Sequence, residues 1–154
     1  MRRADREISG IGQIEEIINK SDVCRIAFAN NNYPYMVTMN FGYTNEPGRS
    51  FYFHCAKEGK KLEMMRINNH VCFELDTDHK IFKGKRSCDW GMTFSSVLGY
   101  GNISEVTDNK ERIKGLNSIM SHYGGEGVYE FDDMVLDNTI ILRLDIVEMT
   151  GKKK

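Results

Sequence analysis

Ile11, Ile14, Ile17 and Ile18 recur three and four residues apart within residues 9 to 20, with Glu15, Glu16 and Lys20 on other faces. That spacing predicts a short amphipathic helix whose isoleucine stripe must be covered. The period then changes. Val23 to Ala29 is a strand candidate, and Asn30 to Pro34 has turn chemistry, because asparagine tolerates left-handed backbone and proline fixes its own φ. From Tyr35 to Tyr43, the residues Tyr35, Val37, Met39, Phe41 and Tyr43 alternate with Met36, Thr38, Asn40 and Gly42, which predicts one return strand. A turn over Thr44 to Ser50, with Pro47 and Gly48, leads into the aromatic strand Phe51 to Cys55. Glu58 to Ile67 reads as a second helix, and Val71, Phe73 and Leu75 as one face of a fourth strand.

Residues 76 to 91 carry no clear period and read as loop or short strand. Met92 to Val106 reads as a long strand in which Gly99 and Gly101 mark a bulge or a close backbone approach. Asp108 and Glu111 have capping-box-like spacing ahead of Ile113, Leu116, Met120 and Tyr123, so a helix is expected to start there and stop at Gly124. Gly124 to Asn138 is expected to be irregular. Thr139 to Met149 closes the chain as a strand, and the basic tail 151–154 is expected to be disordered. The sum is about six mostly antiparallel strands and three short helices. A sheet of that size hides its edges best by curling, so the fold class is mainly β, a closed or nearly closed antiparallel barrel.

At 154 residues the chain is expected to form a single domain over residues 1–150, large enough for a core without covalent staples. Its 21 basic and 22 acidic side chains leave a formal net charge of -1, which argues against nucleic acid as the main partner. No run of about 18 apolar residues suggests a membrane span. Cys24, Cys55, Cys72 and Cys88 form no CxxC pair, and the N-terminus has no apolar signal region, so free thiols in a reducing cytoplasm are expected.

Candidate chemistry concentrates in the stretch from Phe51 to Lys61. There an aromatic strand opens into a loop with Lys57, Gly59, Lys60 and Lys61 just ahead of a helical pattern. Amide N–H groups at a helix start are unpaired and partly positive, so an anion is stabilised there and lysines add charge. A solvated lysine turn is the plain alternative. The Tyr35 to Tyr43 strand, the 54 to 61 loop and the Thr93 to Gly101 segment could converge on one groove, with Ser95 and Ser96 supplying hydroxyls unless they face solvent. His54 with Cys55, Cys72 and Cys88 lacks metal-ligand spacing, so no metal is expected.

The segments YMVTMNFGY, FYFHCAKEGKKLE, VCFELD and SSVLGYG, in that order behind MRRADREI, resemble the nitroimidazole-resistance (Nim) branch of the pyridoxamine-phosphate-oxidase-like flavoproteins. The resemblance covers roughly residues 1 to 123. It implies a split β-barrel, FMN held at the interface of a homodimer, and redox chemistry at the flavin ring. By that resemblance Lys60 and Lys61 are the phosphate-binding pair, with Lys57 supporting them beside Cys55 and Ala56. His54 lies on the strand before them, Thr38, Met39 and Asn40 run along the isoalloxazine, and Ser96, next to Ser95, lies near the ring. In the wider oxidase family the ring-side strand ends in lysine and the phosphate site carries arginine. Asn40 and Lys60 stand at those places here, and the C-terminal strand lacks that family's Trp and Arg pattern, which argues against the vitamin oxidase activity itself.

The physical reading agrees with this cofactor. Lysines and a helix start offset a phosphate dianion, and a strand alternating Met39 and Phe41 with Thr38 and Asn40 offers a flat slot with polar edges. His54, an imidazole able to donate or accept a proton, is the candidate catalytic proton donor or substrate anchor; a hydrogen-bonded strand histidine is the plain alternative. The expected function is reduction of a small acceptor such as a nitro-aromatic by a reduced nicotinamide through flavin. Rivals are a haem- or deazaflavin-using relative with His54 or His79 as axial group, and a non-catalytic flavin- or nitroimidazole-binding protein.

Overall fold

The two-residue period of a pleated strand is visible in β2 (Cys24–Asn30), where Cys24, Ile26 and Phe28 are buried while Arg25 and Ala27 point the other way. The computed structural model describes residues 4–30, 33–125, 127 and 129–154. Within them the chain runs β1 (Glu7–Ile8), α1 (Ile11–Lys20), β2, β3 (Tyr33–Met39), β4 (Gly42–Thr44), β5 (Ser50–Cys55), α2 (Lys60–Ile67), β6 (His70–Phe82), β7 (Gly91–Glu105), α3 (Asn109–Gly124), α4 (Asp133–Asp137) and β8 (Ile140–Lys153). The strands form one antiparallel sheet in the order β3-β2-β6-β7-β8-β5-β4, with β1 added on β8.

β3 and β4 stand at opposite ends of that order, yet only Asn40 and Phe41 separate them in sequence. Three peptide links reach about 11 Å at most, so the two ends of the sheet must meet in space and the sheet curls into a barrel. Its interior is filled by Phe28, Phe41, Phe51, Phe53, Phe73, Leu75, Val97, Ile103 and Leu144. Ile14, Ile17 and Ile18 of α1 and Leu62, Met64 and Met65 of α2 belong to the same cluster. Ile11, expected in the buried stripe, is 41% exposed at the helix start.

Several expectations need correction. Among the described residues, eight strands replace six. The single strand expected over Tyr35 to Tyr43 is two strands, because its first half pairs with β2 and its second with β5. An alternating pattern reports which residues face inward; it does not report a change of partner. Residues 76 to 82 continue β6 through an irregularity between Thr77 and Lys80, where Asp78 takes a left-handed φ of 60°. The tail 151–154 is not disordered: Lys152 and Lys153 pair with Ser96 and Ser95, and Lys154 exchanges backbone hydrogen bonds with Phe94. The described residues between α3 and β8 are irregular except for α4. The Asn30 to Pro34 turn has its centre, Asn31 and Asn32, outside the described residues.

The glycine and capping expectations hold. A Cβ on Gly99 would strike the Glu148 carbonyl and one on Gly101 the Asp145 carbonyl, beside a register shift of β7 against β8 at Tyr100 and Gly101. The Asp108 side chain caps α3 by accepting from the Glu111 amide at 2.9 Å. α3 then packs on β4 and β5, with Gly42 directly against Ser118 and Ile119. Among the described residues no helix is long and apolar enough to cross a membrane.

Candidate functional site

β5 is buried at Ser50, Phe51, Tyr52, Phe53 and Cys55, and His54 is its one exposed residue. The odd positions face the barrel core, while Tyr52 on the opposite face is covered by α3 through Gly115 and Ile119. His54 lies on that same face and is exposed. After Cys55 the chain turns through Gly59, whose φ of 139° is a conformation that favours glycine, and α2 starts at Lys60. The expected handover from strand to helix is therefore where the sequence places it.

His54, Cys55 and Ala56 line a cavity of about 580 Å³ together with Val37, Thr38, Met39 and Asn40 of the β3 end and Lys61 of α2. The last wall is Asn138 and Thr139, just before β8. They arrive there because β8 begins its pairing on β5 at Cys55 opposite Ile140. β3 is the terminal strand of the sheet order, so one row of its backbone N–H and C=O groups has no strand partner. A cavity of this size suits a small organic ligand.

Lys61 is the one lysine lining this cavity. It sits in the first turn of α2, where amides lack intrahelical carbonyl partners. Burial pushes the Cys55 thiol up, with Lys61 acting in the opposite direction. Cys55 is therefore held as a neutral thiol, a small apolar wall. The other predicted cations are elsewhere. Lys60 lies over the Tyr35 ring at 4.7 Å, and Lys57 lines an adjoining cavity of about 250 Å³ with Glu105, Thr107, Arg112 and Asp137. Thr139 borders both cavities.

Ser95 and Ser96 do not join this cavity within the chain. Ser95 is buried and donates to Asp78 Oδ2 at 3.0 Å, while Ser96 lines a different cavity with Glu74, Leu98, Thr150 and Lys152. His79 also lies outside the cavity, 2.8 Å from Asp76. Among the described residues no group of three His, Cys, Asp or Glu could hold a metal ion. Sequence reasoning missed Val37, Asn138 and Thr139. The alternation gave Val37 to the core, and nothing local announces that the start of β8 meets the end of β5.

A family model described as pyridoxamine 5'-phosphate oxidase matches residues 12–153. The chain belongs to this family of split-barrel proteins. Among solved structures, this member of the oxidase-like family is similar to a Bacteroides thetaiotaomicron protein provisionally named for 5-nitroimidazole antibiotic resistance. The identity is 31% over 96% of this chain and 86% of that one, with a TM-score of 0.83. A FAD-binding protein from Mesorhizobium loti shares the fold at 21% identity, 97% coverage of both chains and a TM-score of 0.68. A flavocytochrome from Azotobacter vinelandii does so at 13% identity, covering 100% of this chain and 72% of that one, with a TM-score of 0.83. No curated protein matches.

Proposed function

We propose that this family member binds FMN and acts as an oxidoreductase of the nitroimidazole-resistance type, reducing a small acceptor such as a nitro-aromatic with electrons from a reduced nicotinamide. The observation that carries the reading is one cavity joining the free backbone edge of β3, the exposed His54 and Lys61 at the start of α2. Each suits a different part of the cofactor. Lys61 and the first-turn amides would hold the phosphate, and the Val37 to Asn40 edge would meet the polar rim of the ring. Met39, packed against the core, and the neutral Cys55 would supply apolar wall.

A flavin held there by Lys61, the first-turn amides of α2 and the Val37 to Asn40 edge would supply the redox chemistry between nicotinamide and acceptor. His54 acts on the other side of the balance, delivering a proton to an acceptor oxygen as electrons arrive, for which an exposed imidazole is suited. The absence of lysine at Asn40 removes a charge from the ring edge, which favours a neutral acceptor over a phosphorylated vitamin.

The site is proposed to be completed in a homodimer. Support comes from the outward sheet face, where Met36, Ala27, Cys72 and Tyr100 form a continuous cross-strand row, with Met36 61% and Tyr100 50% exposed. Ser96 lies on that face of β7, so a second copy is the route by which its hydroxyl would approach a flavin. The four cysteines are free, in keeping with a reducing cytoplasm.

Reconstitution with FMN, desalting and an absorbance spectrum test the binding. A protein that emerges colourless overturns the reading, and a Soret band would replace it with a haem protein. Anaerobic turnover with a reduced nicotinamide and a 5-nitroimidazole then separates enzyme from binder, since sequestration consumes no cofactor.

A further inference from the structure

The wall of the cavity formed by Asn138 and Thr139 is held by a device that plays no part in the barrel core. α4 buries none of its residues, and Met134 and Val135 are 69% and 57% exposed. What fixes it is polar. Arg112 of α3 donates from one guanidinium nitrogen to the carbonyls of Leu136 and Thr139, at 2.5 and 3.1 Å. Asn138 and Thr139 bond back onto the carbonyls of Met134 and Val135, at 2.9 and 2.7 Å, and Asp132 caps the helix start on the Met134 amide. Both bonds leave from one nitrogen, so the latch needs a charged donor at that point rather than the two-pronged fork of the guanidinium.

The strap separates two spaces. On one side is the cavity with Lys61; on the other is the smaller one, where Glu105 and Asp137 face Lys57 and Arg112, and Thr139 borders both. We infer that Arg112 is a positioning residue whose strap ends the flavin pocket at Thr139 and so selects a flavin mononucleotide over a dinucleotide. This rests on the flavin reading above. FMN ends at its phosphate, whereas FAD continues from that phosphate through a second one to adenosine. A chain extended past Thr139 would have to displace the strap and break the bonds Arg112 makes to Leu136 and Thr139. That requirement penalises FAD and leaves FMN untouched.

Titration of the full-length protein with FMN and with FAD, in wild type and in Arg112→Ala, Arg112→Lys and Asp132→Ala, tests the inference. Wild type is expected to bind FMN at least about tenfold more tightly than FAD, a difference of about 1.4 kcal/mol. Arg112→Ala should narrow that ratio to about twofold, and Arg112→Lys should keep most of it. Asp132→Ala loosens α4 without touching Arg112 or either cavity, and should narrow the ratio as well. Amide exchange over residues 133–139 should be about tenfold faster in Arg112→Ala with or without flavin, as expected for losing charged hydrogen bonds to a surface segment. Wild type that takes up neither flavin defeats the flavin reading itself. Wild type that binds both equally, or folded Arg112→Ala and Asp132→Ala proteins with the wild-type ratio, defeat the strap inference and leave that reading standing.

Discussion

Lys60 stacks its ammonium 4.7 Å from the centroid of the Tyr35 ring, while Lys61, the next residue, lines the cavity beside His54 and Cys55. Two lysines that look equivalent in sequence thus start α2 on different faces, since neighbouring helical positions diverge by about 100°. Lys61→Ala is expected to weaken FMN binding by at least about tenfold, the loss of a charged hydrogen bond worth about 1.5–3 kcal/mol. Lys60→Ala removes an exposed cation–π contact worth about 0.5–1 kcal/mol and should change FMN affinity by no more than about threefold. Fluorescence titration with riboflavin is the control, because without a phosphate the Lys61 penalty should vanish. Equal losses in both variants would return the pair to the joint role that the sequence suggests.

His54 is exposed on β5 while its strand neighbours are buried, so its replacement should leave the fold intact. His54→Ala is expected to retain FMN within about threefold and to lose about a hundredfold or more of nitro-reduction, the usual range for a missing general acid. Stopped-flow reduction of the bound flavin by the nicotinamide should be far less affected than its reoxidation by the acceptor. A variant that turns over normally would leave His54 as a wall residue only.

The seven predicted residues that do meet, Thr38, Met39, Asn40, His54, Cys55, Ala56 and Lys61, lie on two short stretches whose strand and helix signals are local. Alternation at Tyr35 to Met39, the aromatic run Phe51 to Phe53 and Gly59 before Lys60 place them without any knowledge of the sheet. The placement of Ser95 and Ser96 away from this cavity, and of Asn138 and Thr139 in its wall, is set by pairing across the barrel, Ser96 by Asp76 and Lys152, and Thr139 by the partnership of Cys55 with Ile140 that follows it. Register of that kind depends on contacts far apart in the chain, and a period of two along one strand does not encode it.

Gly101 is a local signal with a non-local cause. A methyl group there would meet the Asp145 carbonyl and the Leu144 side chain of β8, the first of which belongs to a backbone that cannot turn aside. Gly101→Ala is expected to destabilise the fold by about 1–3 kcal/mol through overpacking. Urea unfolding followed by circular dichroism would check this. Gly48→Ala, where nothing lies within 4 Å, is the matched control and should be close to neutral.

The Tyr52 hydroxyl donates to Glu111 Oε1 at 3.1 Å beneath α3, and Arg143 Nη1 donates to the same carboxylate oxygen at 2.7 Å. Burial first, and then the Glu111 charge, push the Tyr52 phenol up from 10.0 to about 12. The folded chain therefore keeps a proton that the unfolded chain releases near pH 10. By linkage the associated stability is fully present below that point and is lost as pH rises toward 12. Two pKa units correspond to about 2–3 kcal/mol at most. Tyr52→Phe should cost about 1 kcal/mol at neutral pH for the lost hydrogen bond, and should remove this part of the alkaline slope. Unfolding free energies measured from pH 9 to 12 would show the wild-type curve falling toward that of the variant and crossing it before pH 12. Parallel curves would mean that the phenol loses its proton at similar pH in both states, so that the Tyr52–Glu111 bond is open in solution.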